Sequence, residues 1–223
     1  MIGDCTVRIK FGNDYIVFDV QYGKGKKSTI EIDAVGHITV KVPKGTSEEI
    51  IKKNVEANGK IILERLGRVS QIREMSKDKK YTEQGKFPYL GKEYSLNELI
   101  ETNGISNELI PDIVKKFYIK NCKRIINERI KIYQKHLRVE PKSVKIVESN
   151  SQWGSCTWDK KIEFNYRLIM APIDVIDYVI VHELCHLVHM NHDRSFWRLV
   201  GSVVPDYKEK QAYLGRFGGY MSL

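Results

Sequence analysis

The chain has 223 residues, 42% of them apolar and 29% charged, with a formal net charge of +9. This length suits one large domain or two small ones with a proper core, and the composition excludes a disordered chain. No run reaches the roughly 18–20 apolar residues of a membrane span. The positive charge favours acidic partners such as nucleotides, nucleic acid or an acidic protein surface, without specifying a fold. The opening MIGDCTVRIKFGND carries Asp4, Arg8 and Lys10 where an export signal would be apolar. Cys5, Cys122, Cys156 and Cys185 include no Cys-x-x-Cys pair. Both features point to a cytoplasmic, reducing setting in which the thiols serve as small apolar residues.

In chain order, residues 5–42 read as short strands. CTVRIKF and YIVFDVQY flank Gly12-Asn13, and TIEID (29–33) and HITVKV (37–42) flank a turn at Ala34-Val35-Gly36. Their apolar/polar alternation suits half-buried strands. Pro43-Lys44-Gly45 closes this region. Thr46 or Ser47 then caps a helix with apolar positions Ile50, Ile51, Val55, Ile61, Ile62 and Leu66, ending near Gly67 and weakened at Gly59. Residues 68–86 are polar and lysine-rich, as in a connector. The division expected is a strand-rich N-terminal region over 1–86 and a catalytic region over 87–223.

FPYLGKEYSL (87–96) suggests a hairpin, and 97–110 carries little signal. From Pro111, a stripe of Ile119, Cys122, Ile126, Ile130, Tyr133 and Leu137 predicts a long helix over 111–138 that ends by Pro141. Lys116, Lys120, Arg124, Lys131 and Lys135 make its opposite face basic. VKIVES (144–149) and KIEFNYRL (161–168) read as strands, and Asp174 as the cap of the next helix. SFWRLVGSVV and DYKEKQAYL read as two helices split by Pro205. The element order is that of an α+β protein.

The helix after Asp174 contains HELCHLVHMNH, residues 182–192. His182 and His186, four apart, share one helix face and can offer imidazole nitrogens to a single ion. Glu183 stands about 100° round the helix from His182, beside such an ion. The surrounding Val175, Ile176, Val179, Ile180, Val181, Leu184 and Leu187 make the helix apolar almost all round, so the three polar residues need a buried partner, which a cation supplies. For a third ligand, His189 lies on the same face but about 10.5 Å along the axis from His182. His192 can reach only if the chain turns back, for which Asn191 suits a left-handed helix end. His192 is the choice, with His189 the alternative. Three histidines leave one zinc position for water, and Glu183 is the candidate general base that takes its proton and delivers it to the leaving group.

His182-Glu-Leu-Cys-His186 with Asn191-His192, Phe196-Trp197 and the upstream Trp153-Gly154-Ser155-Cys156 resembles the YgjP-like metallopeptidase family, a relative of SprT-type zinc proteases. The likeness continues through FNYRLIMAP and DYVIVHEL to PDY at 205–207, and more weakly into the N-terminal strands and YLGKEY. It implies a zincin-like C-terminal core with an active-site helix, one zinc held by His182, His186 and His192, and Glu183 as general base. Gln152 departs from the basic residue usual just before Trp-Gly-Ser-Cys in that family.

Trp153 and Ser155 are candidate substrate contacts, the other reading being a tight turn with Trp153 and Cys156 packed beneath the helix. Asn165 and Tyr178 are candidates to polarise substrate, Tyr178 being equally suited to the core. Asp193 and Asp206 are candidates to orient the ligand histidines. Phe196 and Trp197 are expected to hold the His192 segment against the core.

Three activities follow as expectations. The first is a zinc peptidase acting on peptide or protein, with an edge strand such as KIEFN pairing with an extended substrate. The second is a metal-dependent nucleoside triphosphate pyrophosphatase, an activity also associated with YgjP-like proteins. No Gly-rich phosphate loop is present, so phosphates would be held by lysine and arginine side chains and the metal. The third is a nucleic-acid-binding module with a structural metal, using the basic helix. No membrane partner is expected.

Overall fold

The structure, a computed structural model, describes residues 6–65 apart from 13, 24, 26 and 33–35, together with 81, 85–149, 152–221 and 223. Most of the expected connector over 68–86 lies outside the described residues, as do Cys5, Asn13, Asp33-Ala34-Val35 and the helix end at Leu66-Gly67.

Strands β1 (Thr6–Phe11) and β2 (Asp14–Gly23) form an antiparallel hairpin, with Gly12 supplying the positive φ its turn requires. β3 (Thr29–Ile32) and β4 (Ile38–Pro43) complete a sheet of order β1-β2-β4-β3. β4 pairs antiparallel with β3 and parallel with β2, so it is central. Ile38, Thr39 and Val40 are therefore buried in succession, where simple alternation predicts a half-exposed strand.

Helix α1 (Glu48–Ala57) begins after Ser47 and lays Ile51 and Val55 on this sheet, in an apolar cluster with Ile16, Phe18, Val20, Val40 and Val42. The chain turns at Asn58 and is helical again over 59–65. Gly59 marks the break because the Phe11 ring lies against it, so that a Cβ there would fall 2.4 Å from a ring carbon.

A second apolar cluster organises the rest. A hairpin of β5 (Phe87–Tyr89) and β6 (Lys92–Tyr94) precedes a helical turn at Leu96–Leu99, closed by a Ser95–Glu98 capping box. Helix α2 (Ile110–Leu137) buries Val114, Tyr118, Cys122, Ile126 and Ile130. The buried stripe passes through Tyr118, and Ile119, assigned to it by spacing, is exposed. Lys116, Lys120, Arg124, Lys131 and Lys135 are exposed as expected. Arg138 ends the helix in the left-handed conformation, three residues before Pro141.

Strands β7 (Ser143–Val147), β8 (Gly154–Cys156) and β9 (Lys161–Asn165) form a sheet of order β7-β9-β8. β9, expected over 161–168 and as a substrate-pairing edge, stops at Asn165 and is the central strand. The chain from Tyr166 to Met170 is a 3-10 turn capped by the Asn165 side chain, and β7 and β8 are the edges.

Helix α3 (Ile173–His186) packs on α2 and β8, and helices α4 (Arg194–Val203) and α5 (Tyr207–Phe217) follow on either side of Pro205. Pro172, not Asp174, holds the N-cap of α3. Asp174 sits inside the first turn and pairs with Lys210 of α5 at 2.5 Å. Among the described residues no helix is long and apolar enough to cross a membrane. The architecture is α+β, as the order of elements predicts.

Candidate metal centre

Every α3 residue from Val175 to His186 is buried. The helix is wedged between α2, β8, α4 and α5, and Asp177 ties it to α2 through a two-pronged pair with Arg129 (Nε to Oδ1 2.7 Å). A bidentate guanidinium–carboxylate pair fixes rotation as well as position. The helix that carries the polar cluster is thus held from both sides.

α3 ends five residues earlier than Asn191. Leu187 and Val188 close on Leu184 and Cys185 through short-range bonds, and Asn191 does not adopt positive φ. The chain then folds back, bringing His192 Nε2 to 3.0 Å from His182 Nε2, while His186 Nε2 lies 3.3 Å from the same atom. His189 contributes its backbone carbonyl, which accepts from His186 Nδ1 at 3.2 Å. Phe196 packs its ring within 5 Å of all three imidazoles, and Trp197 stacks on His192, so both hold this segment.

These residues fit a metal. A carbonyl only accepts, so His186 carries its proton on Nδ1, and in the neutral ring Nε2 presents a lone pair to the cluster. His182 Nδ1 faces the Tyr178 hydroxyl at 3.3 Å, leaving Nε2 likewise turned inward. Burial pushes both imidazoles well below their ordinary pKa, with the neighbouring histidines adding to the effect. Neutral, converging imidazole nitrogens are the donor set a borderline cation takes.

A fourth histidine joins them from the N-terminal sheet. His37, the residue before β4, is buried and places Nε2 3.2 Å from Glu183 Oε1. Ring nitrogens of His37, His182 and His186 lie within 4.8 Å of one another, close enough to hold a metal ion between them. Nothing in the residues around position 37 flags this.

Glu183 itself is fully buried. Its side chain lies on Gly154 of β8, where a Cβ would fall 2.6 Å from Oε1. The glycine of Trp-Gly-Ser-Cys is required by this close approach.

The remaining expected site residues divide. Trp153 is buried against Gly218. Asn165 donates to the Ser149 and Gln152 carbonyls and so fixes the loop entering β8. Tyr178 is buried and touches His182. Ser155 lines an open cleft of about 440 Å³ between β8 and β2, with His37, Cys156, Trp158, Asp19 and Asp159. Asp193 and Asp206 do other work: Asp193 caps α4 by accepting from Ser195 N and Phe196 N, and Asp206 pairs with Lys210. The Nδ1 atoms of His182 and His186 meet the Tyr178 hydroxyl and the His189 carbonyl instead. Burial, with Glu183 nearby, raises the Cys156 and Cys185 thiols to about 12, so both stay protonated and apolar in character.

Comparison with curated proteins gives no match for the chain. A family model described as YgjP-like, metallopeptidase domain, matches residues 26–217. That span takes in both His37 and the helix carrying the paired histidines, and the chain belongs to the YgjP-like metallopeptidase family, whose domain is that of a metal-dependent hydrolase.

Proposed function

We propose that the protein is a zinc-dependent peptidase, with one ion held by His182, His186 and His192 and Glu183 as general base. When bound, zinc supplies Lewis acidity and lowers the pKa of water at the site toward neutrality. Tyr178 and the His189 carbonyl orient two of the imidazoles through their Nδ1 atoms. Gly154 sets the position of the Glu183 carboxylate. Glu183 accepts a proton from the attacking water and donates it to the leaving amine.

The observation that carries the peptide reading is the edge strand β8. Hydrogen bonds at Trp153–Asn165 and Thr157–Lys161 fix which backbone groups face β9. By the alternation of an antiparallel ladder, Gly154 and Cys156 therefore turn their N–H and C=O toward the open edge. Extended peptides bind such edges through their main chain. The edge begins at the residue that touches Glu183, so a strand added there brings its own carbonyls to the site.

The cleft lining supports the same choice. Among the described residues it includes Asp19 and Asp159 and no lysine or arginine, whereas a triphosphate needs cations. The exposed lysines of α2 do not line it.

The test compares zinc-loaded wild type with Glu183→Gln on a library of unstructured peptides read by mass spectrometry, and on a nucleoside triphosphate panel read by pyrophosphate release. Peptide cleavage lost in the variant is the expected result. Base-selective pyrophosphate release lost in the variant, with peptides left intact, overturns the peptide reading.

A further inference from the structure

The family motif accounts for three imidazoles, and the structure holds four. Ring centroids of His182, His186 and His192 are 4.7–5.0 Å apart. His37 stands 5.5 Å from His182, 5.2 Å from His186 and 5.5 Å from His192. All six edges thus fall between 4.7 and 5.5 Å, a nearly regular tetrahedron with His37 at its apex. Tetrahedral coordination by four protein groups is the mark of a closed zinc site, and three groups with one position left over the mark of an open one.

The placement of His37 also matters for Glu183. Its Nε2 stands 3.2 Å from Glu183 Oε1, within hydrogen-bonding reach of the carboxylate that the reading above uses as general base. His37 lines the β8–β2 cleft as well, so a molecule entering there meets it. Its backbone is set by Gly36, whose φ of 100° few side-chain-bearing residues adopt. The position is specified by the fold of the N-terminal sheet.

We infer that His37 is a fourth, displaceable nitrogen ligand of the metal, carried on the N-terminal sheet, so that the centre as folded is closed and opens when substrate takes the place of His37. This rests on the metal-centre reading above. It gives the N-terminal region a function: it holds the key that shuts the catalytic half.

The test uses the full chain labelled with 15N-histidine and loaded with one equivalent of zinc, with long-range proton–nitrogen spectra distinguishing coordinated from free ring nitrogens. Of the six histidines, four are expected in the coordinated class, leaving His136 and His189 free. His37→Gln should leave three. Acetohydroxamate, a small bidentate zinc ligand, should move His37 to the free class in wild type and bind at least tenfold more tightly to His37→Gln. Three coordinated imidazoles in wild type, with both His37 nitrogens free and hydroxamate affinity equal in the two proteins, overturns the proposal while leaving the metal centre intact. No coordinated imidazole in any protein overturns the metal-centre reading, and this inference with it. If His37→Gln does not fold, the wild-type spectrum with and without hydroxamate decides alone.

Discussion

Gly154 and Glu183 are in contact across the interface of strand β8 and helix α3, with so little space that a Cβ on residue 154 would sit 2.6–2.8 Å from three atoms of the Glu183 side chain. The sheet thereby dictates where the carboxylate points. Gly154→Ala should push Glu183 from its position and cost about 1–3 kcal/mol of stability, in the range for overpacking a tight site. Hydrolytic activity should fall by at least tenfold while zinc content stays at one per chain. Measuring metal stoichiometry and turnover on the same preparation checks this, and full activity in the variant would free Glu183 from dependence on Gly154.

Tyr178→Phe removes the hydroxyl facing His182 Nδ1 and keeps the buried ring. Zinc affinity should drop by about 10-fold, at the low end of what partners of metal-bound imidazoles contribute. Competition with a chromophoric chelator reads it directly. An unchanged affinity would make Tyr178 a packing residue alone.

The pH dependence of the metal-free chain follows from the buried histidines. In the unfolded chain an imidazole titrates near 6.5. In the fold, burial holds His182 and His186 well below that value. Below about pH 6.5 the unfolded state therefore binds protons that the folded state refuses, and stability present above this pH is lost progressively as pH falls toward the folded values. The urea midpoint should be level between pH 8 and 7 and decline from pH 6.5 to 5. Zinc should leave the protein over the same interval, because protons compete for the same nitrogens. A midpoint independent of pH across this range would contradict the burial of neutral imidazoles.

Arg129→Met leaves the mostly buried Asp177 carboxylate without its two-pronged partner. Arg129 is itself partly exposed, so water recovers part of the loss. The expected cost is about 1–2 kcal/mol, below that of a fully buried pair. Adding Asp177→Asn should restore part of it, which a double-mutant cycle in urea measures.

Cys156→Pro removes an N–H that faces the open edge of β8 without removing one that faces β9. Proline is tolerated at such edge positions. The variant should fold and bind zinc yet show KM for extended peptides raised by about tenfold, with Cys156→Ala near wild type. Equal KM values in the two variants would argue against strand addition at β8.

The helix that carries the paired histidines was legible because its information is local. Four-residue spacing puts His182 and His186 on one face, and the apolar residues around them announce burial. The return of His192 was expected from reach and from a left-handed turn at Asn191; His192 does return, but the helix ends at His186 and Asn191 has no positive φ. Asp193 was misread as an imidazole partner, yet Asp-Arg-Ser-Phe has the form of a helix N-cap, a stronger local signal. β8 was hidden because three residues, one of them glycine, give no periodicity. His37 was out of reach for a different reason: 146 residues separate it from Glu183. A lone histidine at the start of a strand looks like any other until the sheet is docked. The burial of β4 was missed in the same way, since its central place depends on a parallel pairing with β2 that alternation cannot encode.

The buried apolar residues form two separate clusters, one around the N-terminal sheet and one around α2 and α3, while the four imidazoles draw on both. A ligand gripped by residues from two cores adds its binding free energy to each only when both are folded. Calorimetry on the metal-free chain would then resolve two transitions, and saturating zinc would fuse them into one. The imidazole cluster thus decides whether this protein melts as two objects or as a single one.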